Sequence, residues 1–408
     1  MKYWRGYLVA LILAALSWAL VAFAKAHSVL VDMIYPYVTR LIISSMADWT
    51  GGMGFCLWQV LLVGMVALGI VSVILMILFR WNPIQWGGWV LAVVMFFCSC
   101  HTVLYGLNQY ASPLADDMRL DVTDYTVSEL NEATVYFQDQ AKQLSLSIER
   151  DDKGNPKLES FETLAAKAGD GFKVLAYDQA MSVFAGSTAP VKKLGWSIFY
   201  GKDSGVTFPL TGEAAVNPRV PTAVLPFAMC EQIAHRMSID SDADAQFAAF
   251  LAGANNPDPA FRYSAYLMAY KYCYDALASI PTSTAKTAAS QADAALTQNM
   301  RNDLQKYTKF FGERTVTANL KTTVQDNTAD THPDDFIAIT FSEYSDVSDL
   351  LASWYIQTFI VPLHKEEVLP FNPVDPNQVD LTTPIIPPTT YPSGNDTEST
   401  TETTAPNA

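Results

Sequence analysis

Three long apolar runs sit in the first 110 residues and restrict the fold more than anything else in the chain. Tyr7 to Ala24 is broken only by Ser17. Phe55 to Phe79 has only Gln59 and Ser72 as polar side chains, and Trp86 to Leu107 has its polar residues near the far end. Each run approaches or exceeds the roughly 20 residues that cross a bilayer core as a helix. Only Arg80-Trp81-Asn82-Pro83-Ile84-Gln85 separates the second run from the third, which makes them a helical hairpin, and Trp81, Trp86 and Trp89 stand where interfacial aromatics belong.

The first run admits two readings. Lys2 and Arg5 followed by an apolar stretch and "AFAKA" fit a signal peptide, but the apolar length favours an uncleaved anchor. Either way Lys2, Arg5 and Arg80 mark the inner side, although Lys25 and Arg40 fall on the other, and the chain after Leu107 emerges outside. Between Ala26 and Gly54 a mostly apolar loop with helical spacing is expected on the outer membrane surface or against the outer domain.

Charge separates the rest of the chain from this part. Five of the 26 bases and two of the 41 acids precede Ala111, leaving 21 bases against 39 acids and a formal charge of −18. A domain so acidic is expected to repel nucleic acid and anionic lipid, and no basic cluster with interleaved aromatics offsets this. Cys230 and Cys273 are the only cysteines beyond the membrane runs. Both lie on apolar helix faces and are expected as free buried thiols, although an oxidising compartment would permit a disulfide.

Along the outer part, helices are expected over Val127 to Arg150, Leu158 to Phe184, the segment around Glu231 and His235, "DADAQFAAFLAGA", Phe261 to Ile280, Ser283 to Phe311 and Glu343 to Ile360. Short β pieces are expected at Trp196 to Tyr200 and Val206 to Leu210. From Asn372 onward the chain is rich in Pro and Thr and reads as a disordered tail.

The segment "PFAMCEQIAHRMSIDSDADAQFAAFLA" carries the chemistry. Glu231 and His235 are four apart and share a helix face, with Gln232 beside them. Zinc peptidases place two imidazoles and a general-base Glu in this spacing as H-E-x-x-H, and take a third ligand from a later helix. The bland readings are an ordinary amphipathic helix and, for Asp240, Asp242 and Asp244, a helix N-terminus that favours acids. Glu213 either lines the cleft or pins a turn. Tyr263-Ser264 either faces a substrate or packs in the core. His332 and His364 show no metal-ligand spacing.

The ordered motifs "FPLTGEAAVNP", "LPFAMCEQIAH", "DADAQFAAFLA" and "NNPDPAFRYSAYLMA" resemble those of an uncharacterised family of bacterial three-pass membrane proteins, a domain of unknown function with a gluzincin-like, zinc-peptidase-type outer domain. The resemblance runs from the membrane runs to about Pro362. It implies a mainly α chain with membrane helices near 7–24, 55–79 and 86–107 in a region covering 1–110. A zincin-like, mostly helical α+β extracytoplasmic domain over 111–370 follows, then the disordered tail over 371–408. Carried over, the first metal histidine falls on Glu231, the general base on Gln232, the second histidine on His235, the downstream carboxylate on Asp244 and its Asn neighbour on Gln246. An amide is not a base. Glu231, His235 and Asp244 make a ligand set harder than the usual zinc set, one that suits Mn²⁺ or Mg²⁺ as well as zinc.

The expectation is therefore a membrane-anchored protein with no intact catalytic constellation. It has no cofactor, or at most zinc or another divalent metal weakly held, and it binds a peptide, protein or envelope partner outside the membrane. The alternatives are an active peptidase with an atypical ligand set and a purely structural membrane protein. Only the catalytic reading requires the metal.

Overall fold

The computed structural model describes residues 2–179, 181–314, 316, 338–339, 344 and 346–361. The tail expected from Asn372 onward, and both His332 and His364, lie outside the described residues. The chain is mainly helical. The helices of the apolar part are α1 (Arg5–Ala26), α2 (Ser28–Gly51), α3 (Leu57–Leu78) and α4 (Pro83–His101), the last continuing through a π turn to Gly106. All four are long and apolar enough to cross a membrane.

Their packing sets one of them apart. The α1 and α4 helices lie together, joined by a hydrogen bond from Ser17 Oγ to Ser99 Oγ at 2.8 Å. The α3 helix leaves most of its side chains exposed and meets α4 where Trp86 Nε1 donates to Ser72 Oγ at 3.3 Å. The α2 helix instead docks on the acidic domain along its whole length. Asp32 accepts from Ser112 N–H at 2.8 Å, and Arg40 donates to the carbonyls of Met237 and Ser182, both at 3.1 Å. Ser44 and Asp48 hold Ser187, and Thr50 donates to Thr211 O at 3.1 Å. The segment expected as a loop on the membrane surface or the domain is thus a 24-residue helix, and the surface it meets is the domain.

The domain holds ten further helices among the described residues: α5 (Leu114–Met118), α6 (Val127–Ser147), α7 (Phe161–Lys167), α8 (Asp170–Lys173), α9 (Leu225–Arg236), α10 (Asp242–Ala254), α11 (Pro259–Ser279), α12 (Ser283–Ala294), α13 (Gln298–Phe311) and α14 (Val347–Tyr355). A capping box at Thr126 and Glu129 starts α6, and its apolar face lies on α11. Phe137, Phe250, Tyr266 and Trp354 pack ring against ring at the centre of the core.

Among the described residues there are five short strands, β1 (Tyr125–Thr126), β2 (Lys192–Lys193), β3 (Gly205–Phe208), β4 (Glu213–Val216) and β5 (Ala338–Ile339). They form an antiparallel β1–β5 pair and a three-stranded sheet ordered β2-β4-β3. In that sheet β2 runs parallel to β4, and β3 pairs antiparallel with it, Gly205 opposite Val216 and Phe208 opposite Glu213. The β3–β4 turn presses on α2. Gly212 has φ +66°, and a Cβ there would meet Ile43 O and Ala47 N at 2.4 Å, so only glycine fits.

Three local expectations need correction. Trp196 to Tyr200 is a 3₁₀ turn over Ser197–Tyr200, not a strand, because Trp196, Ile198 and Phe199 are exposed and have no sheet neighbour to cover them. The expected helix over Leu158 to Phe184 is broken into α7, α8, a π turn and a 3₁₀ turn. The expected helix over Ser283 to Phe311 is two helices, and Thr297 caps the second by accepting from Met300 N–H.

Glu213 lines no cleft. It is buried and accepts from the N–H groups of Leu57 and Trp58 at 2.7 and 2.9 Å, which caps the first turn of α3, and from Thr211 Oγ1 at 2.7 Å. Glu213→Ala is expected to cost about 2–4 kcal/mol, since it strands two helix donors. Glu213→Gln keeps an acceptor and is expected to cost less. Thermal unfolding of the detergent-solubilised protein checks both.

Candidate functional site

Pro226 in its first turn starts α9, which packs under the sheet and beside α10. The link between the helices is tight: Ser238 has φ +71°, and Ser241 caps α10. On α9, Glu231 and His235 face a cleft of about 440 Å³. On α10, Asp242 and Gln246 line the same cleft, again at a spacing of four. Asp244 is two residues on, about 200° around the helix. It lines a separate cavity of about 800 Å³ and accepts from Tyr344 OH at 2.6 Å and from Leu114 N–H at 3.4 Å.

The expected metal set of Glu231, His235 and Asp244 therefore does not assemble, because helical rotation points the third carboxylate away from the other two. Among the described residues no three His, Cys, Asp or Glu side chains form a group fit to hold a metal ion. The three donors converge on no common point and so do not fit zinc.

Glu231 is buried, and burial pushes its carboxyl above the ordinary value of 4.5. The charge of His235 and hydrogen bonds from Ser204 and Gln246 oppose that rise. The Ser204 hydroxyl donates at 2.9 Å. His235 Nδ1 lies 2.9 Å from Ile239 O, a carbonyl that can only accept, so Nδ1 carries the proton and Nε2 faces Asp242 at 3.7 Å. Thr207 Oγ1 donates to the main-chain and side-chain oxygens of Gln232 at 2.9 and 3.2 Å. The strand approaches this closely because residue 205 is glycine: a Cβ there would meet Gln232 Cγ at 2.7 Å. An amide fastened in this way takes up no proton from water.

The remaining candidates belong to the core. Tyr263 donates to Asp303 at 2.7 Å, and Ser264 Oγ accepts from Phe227 N–H at 3.1 Å, so neither faces a ligand. Cys230 and Cys273 are buried free thiols. Sequence reasoning missed the cleft roles of Ser204 and Thr207, and it ranked Asp244 above Asp242 as the downstream carboxylate, whereas the one on the cleft is Asp242. The matched spacing of 231/235 and 242/246 signals Asp242. His101 and Tyr105, from the end of α4, also line the cleft, and no local pattern reveals that.

Residues 31–332 match the family described as "Protein of unknown function (DUF3810)". The chain belongs to this family. The DUF3810 match begins inside α2, takes in the α3–α4 hairpin, the sheet and α5 to α13, and ends before α14. Neither the curated proteins nor the solved structures give a match. The comparisons thus extend to the DUF3810 membership and not to a zinc-peptidase fold.

The burial of Glu231 has a stability consequence. A carboxyl raised in the folded state binds its proton more tightly there than in the unfolded chain, so stability falls as pH climbs past the ordinary carboxylate value toward the folded one. Glu231→Gln removes the ionisation. Above that window the variant is expected to melt higher than the parent, and its stability is expected to lose this pH dependence. Parallel melting curves from acid to neutral pH read this out.

Proposed function

We propose that this DUF3810 member is a membrane-anchored, non-catalytic binding protein whose cleft around Glu231 receives an extended peptide segment outside the membrane. The observation that carries the reading is Gln232. An amide occupies the position where the related motif has its base, and Thr207 secures its oxygens. The direction of Asp244 supports the same conclusion. The cleft retains the means to bind. The edge strand β3 runs along it, with backbone groups suited to pairing with an extended chain. Glu231 offers a desolvated carboxylate for a donor or cationic side chain of the ligand.

The extracytoplasmic placement rests on Lys2, Arg5 and Arg80 at the inner ends of the apolar helices. It also rests on α2, which is committed to the domain along its length and so leaves α1, α3 and α4 as the three crossings. Three crossings put the domain on the face opposite the N-terminus. A periplasm-dependent reporter fused after Ala408 is expected to be active and a cytoplasm-dependent one silent. The reverse result puts the domain inside and counts α2 as a fourth crossing.

The binding reading is tested on full-length protein in nanodiscs, using an array of immobilised extended peptides. Retention without hydrolysis is expected, weakened about tenfold or more by Glu231→Ala, the scale of losing a charge-assisted hydrogen bond. Elemental analysis of the same preparation decides the peptidase reading. About one zinc per chain together with peptide cleavage replaces the present proposal.

A further inference from the structure

We propose that the turn Gly195–Tyr200 is a membrane-seating wedge, with Trp196, Ile198 and Phe199 placed in the interfacial layer of the bilayer beside the outer end of α3. These three side chains are 60%, 71% and 84% exposed. Contiguous large apolar side chains facing outward mark an interaction surface. The backbone holds them there under strain: Trp196 has φ +47°, a left-handed conformation uncommon for a bulky residue, and Gly201 closes the turn at φ +56°.

The occupant follows from what grips the neck of the turn. Gln59, in the first turn of α3, accepts from Gly195 N–H at 3.0 Å and donates to Gly195 O at 3.0 Å and Tyr200 OH at 3.2 Å. The Tyr200 ring meets Trp58 edge to face at 6.2 Å. The turn therefore leaves the domain at the level where α3 begins. The next side chains of α3, Val60 to Val63, are themselves exposed and apolar. A surface continuous with a candidate membrane helix meets lipid, and tryptophan at that level belongs to the interfacial belt. The adjoining helix agrees. Ile34, Val38 and Leu41 make an exposed apolar stripe on the face of α2 opposite Arg40, Ile43 and Ala47. The cleft begins two residues after the turn, at Lys202, and includes His101 and Tyr105 of α4. Its mouth thus lies close to the bilayer surface. The wedge itself rests on none of the reading of the cleft.

Full-length protein carrying Cys98→Ala and Cys100→Ala retains only the buried thiols Cys56, Cys230 and Cys273. A nitroxide is attached to this background at Phe199→Cys or at Leu146→Cys and read by electron paramagnetic resonance power saturation in phosphatidylcholine/phosphatidylglycerol nanodiscs. Leu146 is the matched control: it is 83% exposed, near the end of a 21-residue helix that carries it about 30 Å from the start of α6. Oxygen, which partitions into lipid, is expected to relax the label at 199 more than a water-soluble nickel chelate does, with the order reversed at 146. Equal access of nickel to both positions overturns the proposal. Exclusion of both reagents from 199 also overturns it, by placing the turn in a protein contact. Ile198→Cys supplies the same reading should the Phe199 variant fold poorly.

Discussion

Two buried charges of opposite sign join the membrane helices to the domain, and the rest of the architecture is arranged around them. Lys192 on β2 donates to the carbonyls of Thr50, Gly51 and Met53, where α2 ends. Glu213 on the neighbouring β4 accepts the first amides of α3. The C-terminal end of one helix thus receives a cation and the N-terminal end of the next an anion, the signs that each helix dipole favours. Both side chains are almost fully buried, at 7% and 2% exposure. Such charges are tolerable only when they are hydrogen-bonded. Because β2 and β4 pair directly, the short sheet sets the distance between the two helix ends and fixes the domain on the membrane part.

The same sheet shapes the cleft. Strand β4 is covered by β3 on one side and β2 on the other, and α9 packs beneath, with Gln232 filling the space that Gly205 leaves. Glu231 is thereby removed from water and held by Ser204, while His235 is fixed by the carbonyl of Ile239. These are the contacts of an ordered polar site. At the base position of the related motif the site carries the amide of Gln232, and Asp244 does not converge with Glu231 and His235. An apolar side chain at 231 would serve the core at lower cost than a buried carboxylate.

Most of the secondary structure follows from local chemistry. The apolar runs determine α1, α3 and α4, and Pro226, Ser241 and Thr126 mark the starts of α9, α10 and α6. The shared face of Glu231 and His235 follows from helical periodicity alone. The same periodicity puts Asp244 about 200° around α10 from Asp242, although its position in the motif pattern had paired it with Glu231 and His235. Local pattern was insufficient at Trp196 to Tyr200, where β-prone residues serve an exposed turn, and over Leu158 to Phe184, where the expected helix is broken.

Tertiary structure alone decided which surfaces meet. That Glu213 caps a membrane helix, that Arg40 reaches carbonyls some 140 and 200 residues away, and that the end of α4 lines the cleft are all contacts between distant segments. Periodicity reports which face of a helix is apolar or polar, because that depends on neighbours three and four residues away. It carries no information about the partner of that face, which is set by how the elements pack. The sequence by itself therefore determined a helical chain with runs long and apolar enough to cross a membrane and with Glu231 and His235 on one face of a helix, whereas the joint at Lys192 and Glu213 and the enclosure of the cleft came only from the fold.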